Sequence, residues 1–123
     1  MTTRVLLTGS RDWTDWHTIV AKLDFLARQI PDLVIVHGAC SRGADDIADR
    51  HARAHDIRTE RHPANWRKYG RRAGHVRNAH MVALGAELCL AFIRDKSPGA
   101  SGCAAMAEHS GIPTIRFTEG SAA

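Results

Sequence analysis

The chain has 123 residues and a mass of 13.5 kDa, enough for one domain and too little for two independent hydrophobic cores. Apolar residues make up 44% and charged residues 24%, ordinary globular usage that excludes disorder and fibrous repeats, and no apolar run approaches the ~18 residues of a membrane span. The net charge of +4 is uneven: the segment from Arg58 to His80 carries +6, which leaves −2 on the rest of the chain.

Apolar periodicity alternates between two and about 3.6 residues along the chain. Val5-Leu6-Leu7 reads as a buried strand ended by Thr8-Gly9-Ser10. Thr14 or Asp15 can cap a helix with the apolar stripe Trp16, Ile19, Leu23, Leu26 and Ile30, which Pro31 stops. Leu33 to Val36 is a second buried strand. The second helix starts near Gly43-Ala44-Asp45 and buries Ala44, Ile47, Ala48 and Ala52. Ile57 to Arg61 alternates with charge and is expected as an edge strand. Asn65 to Gly70 reads as loop. A third helix, from about Arg72 to Leu84, is expected to bury Val76, Ala79, Ala83 and Leu84. Leu88 to Ile93 is a fourth buried strand, followed by a helix from about Ser101 to His109. Gly111-Ile112-Pro113 leads into a last strand, Thr114 to Phe117. The domain is expected over residues 1–118, with a frayed tail over 119–123.

Strands that are apolar almost throughout, separated by helices, imply a parallel sheet covered on both faces. The expected fold is α/β: a Rossmann-like, doubly wound sheet of five parallel strands in the order 3-2-1-4-5, with helices on both faces. Ligands of such sheets sit beyond the carboxyl ends of the strands where strand order reverses, here between the first and fourth strands.

Three loops lead to that point. The first strand ends in Gly9-Ser10-Arg11, which combines close backbone approach, a hydroxyl and a forked cation. The second ends in Gly38-Ala39-Cys40-Ser41-Arg42-Gly43, which opens a helix whose free N–H groups suit an anion. It lacks the Lys-Ser/Thr ending of a P-loop and the spacing of GxGxxG. Asp45 in that helix's first turn either complements the macrodipole or contacts a ligand or ribose. The third loop, Ser97-Pro98-Gly99-Ala100-Ser101-Gly102-Cys103, opens another helix. Cys103 there is a candidate for a depressed thiol pKa. Together the loops point to a phosphate-bearing ligand.

The basic segment is either a solvated face or a site for an anion, and it contains Trp66 and Tyr69, which can stack on a base. His51 and His55 have the i, i+4 spacing of zinc ligands, but no third ligand is set by sequence and no CxxC exists, so no metal is expected. Three cysteines, Cys40, Cys89 and Cys103, give no disulfide framework and fit a reducing cytoplasm; the short apolar start is not the core of a signal peptide.

The residues Thr8-Gly9-Ser10-Arg11-Asp12, His37-Gly38-Ala39, Gly43-Ala44-Asp45, Trp66, Tyr69-Gly70-Arg71, Ala73-Gly74, Arg77-Asn78, Met81, Gly102 and Gly111-Ile112-Pro113 closely resemble the YspA-like group of the SLOG superfamily, named after the Smf/DprA and LOG proteins. The resemblance implies a Rossmann-like domain for nucleotides or nucleotide-derived ligands. Arg77 and Met81 match the Arg-x-x-x-Met helix motif of LOG phosphoribohydrolases, and Ser97 to Cys103 matches their PGGxGT loop. LOG enzymes place a Glu three residues beyond that loop's Thr. Here the position is Met106, which can neither take nor give a proton. Glu108 lies about 200° around the helix from it. On this reading Arg77, near the amino end of its helix, clamps a phosphate and Asn78 bonds a sugar or base edge.

The leading expectation is a cytoplasmic binding domain for a nucleotide-like small molecule, with no required cofactor and no membrane partner. The alternatives are a nucleoside monophosphate phosphoribohydrolase or nucleoside hydrolase of LOG type, with Asp45 the best candidate for its carboxylate, and a binder of single-stranded nucleic acid like the DprA relatives. The several apolar faces of the third helix, Met81 among them, suggest a homodimer.

Overall fold

The computed structural model describes residues 2–119. Five strands, β1 (Thr3–Gly9), β2 (Leu33–His37), β3 (Arg58–Arg61), β4 (Leu88–Arg94) and β5 (Thr114–Glu119), form one sheet in the order β3-β2-β1-β4-β5. Every pairing is parallel. The expected α/β architecture and strand order are those of the structure.

The central strands β1, β2 and β4 are apolar on successive residues because both faces are covered. Val5, Leu7, Ile35, Leu90 and Phe92 face one core, with α1 (Trp16–Gln29) and α2 (Ala44–Ala54) packed on it. Their neighbours Leu6, Val34, Val36 and Cys89 face the other, beneath α4 (Ala73–Ala83) and α5 (Pro98–His109). The period-2 alternation thus divides β1, β2 and β4 between two cores. β3, the expected edge strand, is exposed at both ends.

Four local expectations are corrected. Trp16 is half exposed and stacks on the His17 ring; Trp13 fills the core instead, edge-on to Phe92 at 5.4 Å. Asn65 to Gly70 is not loop but a short helix, α3 (Trp66–Tyr69), with the Asn65 carboxamide accepting from Lys68 N–H, followed by a 3₁₀ turn over Gly70–Arg72. On α4 the buried residues are Ala73, Asn78, Met81 and Val82, while Ala83 and Leu84 are exposed. Met81 is fully buried in the second core and is not available to a partner chain. α5 begins at Pro98, so Gly99, Ser101, Gly102 and Cys103 are helical; proline at the first helical position loses no hydrogen bond there.

β5 continues to Glu119, whose carboxylate accepts from Thr14 N–H at 2.8 Å and pairs with Arg94. Residues 120–123 of the expected tail lie outside the described residues. Among the described residues no helix is long and apolar enough to cross a membrane.

Candidate functional site

A crevice of about 720 Å³ opens at the carboxyl ends of the strands, over the switch point between β1 and β4. That volume is in the range of small-molecule sites. Its wall includes Gly9, Arg11, Gly38, Asp45, Trp66, Arg77, Asn78, Ser97, Gly99, Gly102 and Cys103, all expected site residues. The remaining five stand elsewhere. Ala39 lines an adjoining cleft of about 490 Å³ that shares Arg11, Gly38, Arg42, Trp66 and Arg77 with the crevice. Tyr69 faces a separate groove with Arg61, His62 and His80, so it does not join Trp66 on one base. Ser10 is buried and its hydroxyl accepts from Arg94 N–H at 2.8 Å, tying β1 to the end of β4. Gly43 has φ +77° and packs against the Ser10 carbonyl, where a Cβ would stand 2.3 Å away. Ser101 is half-buried on α5, outside the crevice wall.

The end of β2 is held by a polar chain. His37 is fully buried. Its Nδ1 accepts from Ala39 N–H at 3.0 Å and its Nε2 meets Asp49 at 2.9 Å. An accepting Nδ1 fixes the proton of the neutral ring on Nε2. Arg77 completes the support from α4. Its Nη1 donates to the carbonyls of Gly38 and, at 3.4 Å, His62, and its Nε donates to Asn78 Oδ1 at 2.6 Å. Arg77 and Asn78 are in the middle of α4 and not at its amino end, and the Nε and Nη1 donors of Arg77 are engaged within the protein.

The open cations are others. Arg11 and Arg42, exposed on the loops after β1 and β2, and Arg71 of the 3₁₀ turn line the crevice. The Arg11 guanidinium lies 5.4 Å from the half-exposed Trp66 ring. Arg94 also lines the wall but pairs with Asp12, Asp95 and Glu119. Sequence reasoning did not single out Arg42 as a crevice residue and left Arg71 within a basic segment read as either a solvated face or an anion site; the glycine-bounded loop and the basic segment that contain them were the available signals. Nothing marked the turn between β4 and α5, where Asp95 and Lys96 take φ values of +50° and +56° without a glycine.

α5 points its amino end into the crevice. Its first turn holds no acidic residue, its N-cap Ser97 makes no side-chain cap hydrogen bond, and a Cβ on Gly99 or Gly102 would meet nothing within 4 Å. The end of α2 differs, with Asp45 and Asp46 in its first turn. Burial pushes the Asp45 carboxyl above its ordinary value. The thiols of Cys40 and Cys103 are likewise pushed up by burial, which corrects the expectation of a depressed Cys103. Met106 lines the crevice, so a thioether stands where a LOG-type enzyme has its carboxylate. His51 is engaged with Asp24 at 2.7 Å, and the His55 ring bonds to the His51 carbonyl.

The family model described as the YspA, cpYpsA-related SLOG family (YAcAr) matches residues 3–69. The Gene 61 protein of Mycobacterium phage D29 is 46% identical over 120 residues, covering 93% of this chain and 95% of its own length. No solved structure matches. The match spans β1 through Trp66 and Tyr69, the elements that supply Gly9, Gly38 and Asp45 to the crevice, and the chain belongs to the YspA, cpYpsA-related SLOG family.

Proposed function

We propose that the protein is a cytoplasmic domain that binds a nucleotide or nucleotide-derived anion in the crevice at the ends of β1, β2 and β4. The observation that carries this reading is the amino end of α5. It is uncapped by side chain, has no acid in its first turn, and opens onto a cavity that Arg11, Arg42 and Arg71 also line. Unpaired N–H groups, the macrodipole and forked cations all favour a phosphate there. Trp66, half exposed beside Arg11, offers a stacking surface. Membership of the SLOG family agrees with this class of ligand. A ligand that binds only the folded chain raises its melting temperature by mass action. A thermal-shift series of mononucleotides, dinucleotides and cyclic nucleotides is expected to give a rise with at least one. No shift with any of them at millimolar concentration would refute the reading.

One feature favours a second, hydrolytic reading. Asp45 is a desolvated carboxyl on the crevice wall, the environment that raises a carboxyl toward acid-base use. Long incubation with AMP, GMP, CMP and UMP, followed by chromatography, tests it. Release of free base that disappears in Asp45→Asn would make the protein a hydrolase.

A further inference from the structure

Asp45 is 4% exposed, yet it lines the crevice. Its Oδ1 is buried without a hydrogen-bond partner among the described residues. Its Oδ2 accepts from Cys40 N–H at a long 3.4 Å, and the carboxyl also meets the Cys40 thiol. A carboxylate can accept about four hydrogen bonds, and a buried one left short of donors is costly to the fold. The neighbouring Arg77 favours the charged carboxyl through space but gives it no hydrogen bond, because its guanidinium is turned to Gly38, His62 and Asn78. Nor is Asp45 needed to satisfy the α2 dipole. Asp46, in the same turn, is more open to solvent and pairs with Arg50 at 3.0 Å.

We infer that Asp45 is the specificity-determining residue of the crevice, its free carboxylate oxygen accepting a hydrogen bond from a ligand sugar hydroxyl, so that the site takes a ribose phosphate in preference to a deoxyribose phosphate. The inference rests on the reading of the crevice as a nucleotide-type anion site, and three features support the assignment. The ligand is anionic, so the donor Asp45 lacks must be a neutral O–H or N–H group of that anion. A single oxygen is free, which suits one hydroxyl; a paired N–H edge such as guanine's needs both oxygens, and Oδ2 faces Cys40. Finally, the two acids of α2 repel phosphate from that end and leave it to α5. A sugar then lies between, against Asp45, with the base toward Trp66 at the mouth.

Calorimetric titration of the full chain with AMP, GMP, CMP and UMP, each against its 2′-deoxy counterpart and AMP also against 3′-deoxy-AMP, tests this. At least one deoxy form is expected to bind about ten- to a hundredfold more weakly than its ribo parent, the span for a hydrogen bond to a charged group. Asp45→Ala is expected to bring the ratio close to one, mainly by weakening the ribo form. Asp46→Ala is expected to leave it unchanged. If Asp45→Ala does not fold, the isosteric Asp45→Asn and the wild-type ratio still decide. Equal binding of ribo and deoxy forms by the wild type, or a ratio that survives loss of the Asp45 carboxylate, overturns the role of Asp45 and leaves the anion site intact. Binding of none of these monophosphates overturns the role of Asp45, and the anion site falls with it only if the dinucleotides and cyclic nucleotides also give no thermal shift.

Discussion

Nη1 of Arg77 donates to the carbonyl of Gly38 and stands 2.3 Å from the point that a Cβ on Gly38 would occupy. The contact joins the middle of α4 to the end of β2, and only a residue without a side chain lets the guanidinium in. Arg77 therefore holds the crevice wall together before any ligand arrives.

Arg77→Ala is expected to destabilise the ligand-free protein by about 1.5–3 kcal/mol, the range for losing a hydrogen bond to a charged group. Gly38→Ala should act in the same direction by displacing the guanidinium. Urea unfolding of each variant gives the number. An Arg77→Ala midpoint equal to the wild type, with only ligand affinity lost, would restore the direct phosphate role.

The basic segment does not form one surface. Arg58 and Arg61 are on the edge strand β3, whereas Arg71 reaches the crevice. Affinity for a mononucleotide is expected to fall with salt at a log–log slope near −1, against about −4 for six phosphate contacts on a single strand. Arg71→Gln is expected to weaken binding, and Arg58→Gln to leave it unchanged. Steep salt dependence with an oligonucleotide, weakened equally by both replacements, would point to a polymer.

Glu60 accepts from Arg4 Nη1 at 2.6 Å and meets His62 Nε2 at 2.7 Å, and these partners lower its pKa from 4.5 to about 2. A carboxyl depressed in the folded state adds stability that is complete above pH 4.5 and fades as pH falls toward 2. The Glu60 side chain is 35% exposed, so solvent screening holds the contribution to about 1 kcal/mol. Stability curves of wild type and Glu60→Gln should run parallel above pH 4.5 and converge below it. A gap that stays constant down to pH 2 would contradict the assignment.

Gly102 lies in the interior of α5 with open space where a side chain would be. Gly102→Ala is expected to stabilise the ligand-free chain by about 0.5–1 kcal/mol, since glycine is the poorer helix former. The added methyl group projects toward the crevice and should weaken ligand binding. Opposite signs in a thermal melt and a ligand titration are the signature. A stabilised variant with undiminished affinity would place the ligand away from α5.

The sheet was legible because its three central strands are apolar almost throughout, and that pattern needs two covered faces. The face that α4 buries was not. Val76, Ala79, Met81, Val82 and Leu84 put apolar or small groups on several sides, so periodicity alone did not choose, and packing beneath the helix took Met81 and Val82. α3 escaped because four residues have no period; only its Asn65 cap announced it. In the site, the glycine loops located the crevice. The orphaned oxygen of Asp45 and the inward turn of Arg77 are three-dimensional facts with no trace in residue order.

The amino-terminal half of α5 is also expected to set a timescale. Its first turns contain Pro98, Gly99, Ser101 and Gly102, behind a cap whose side chain makes no cap hydrogen bond and two residues in left-handed backbone. Such turns open at low cost, well below global unfolding. Their amides should exchange with solvent faster than those of Ala104 to His109, and the wall of the crevice should form and dissolve many times in the life of one folded molecule. A phosphate seated there would supply the missing cap. Part of its binding energy would go into ordering the helix, and residence time would follow the rate at which those two turns come apart.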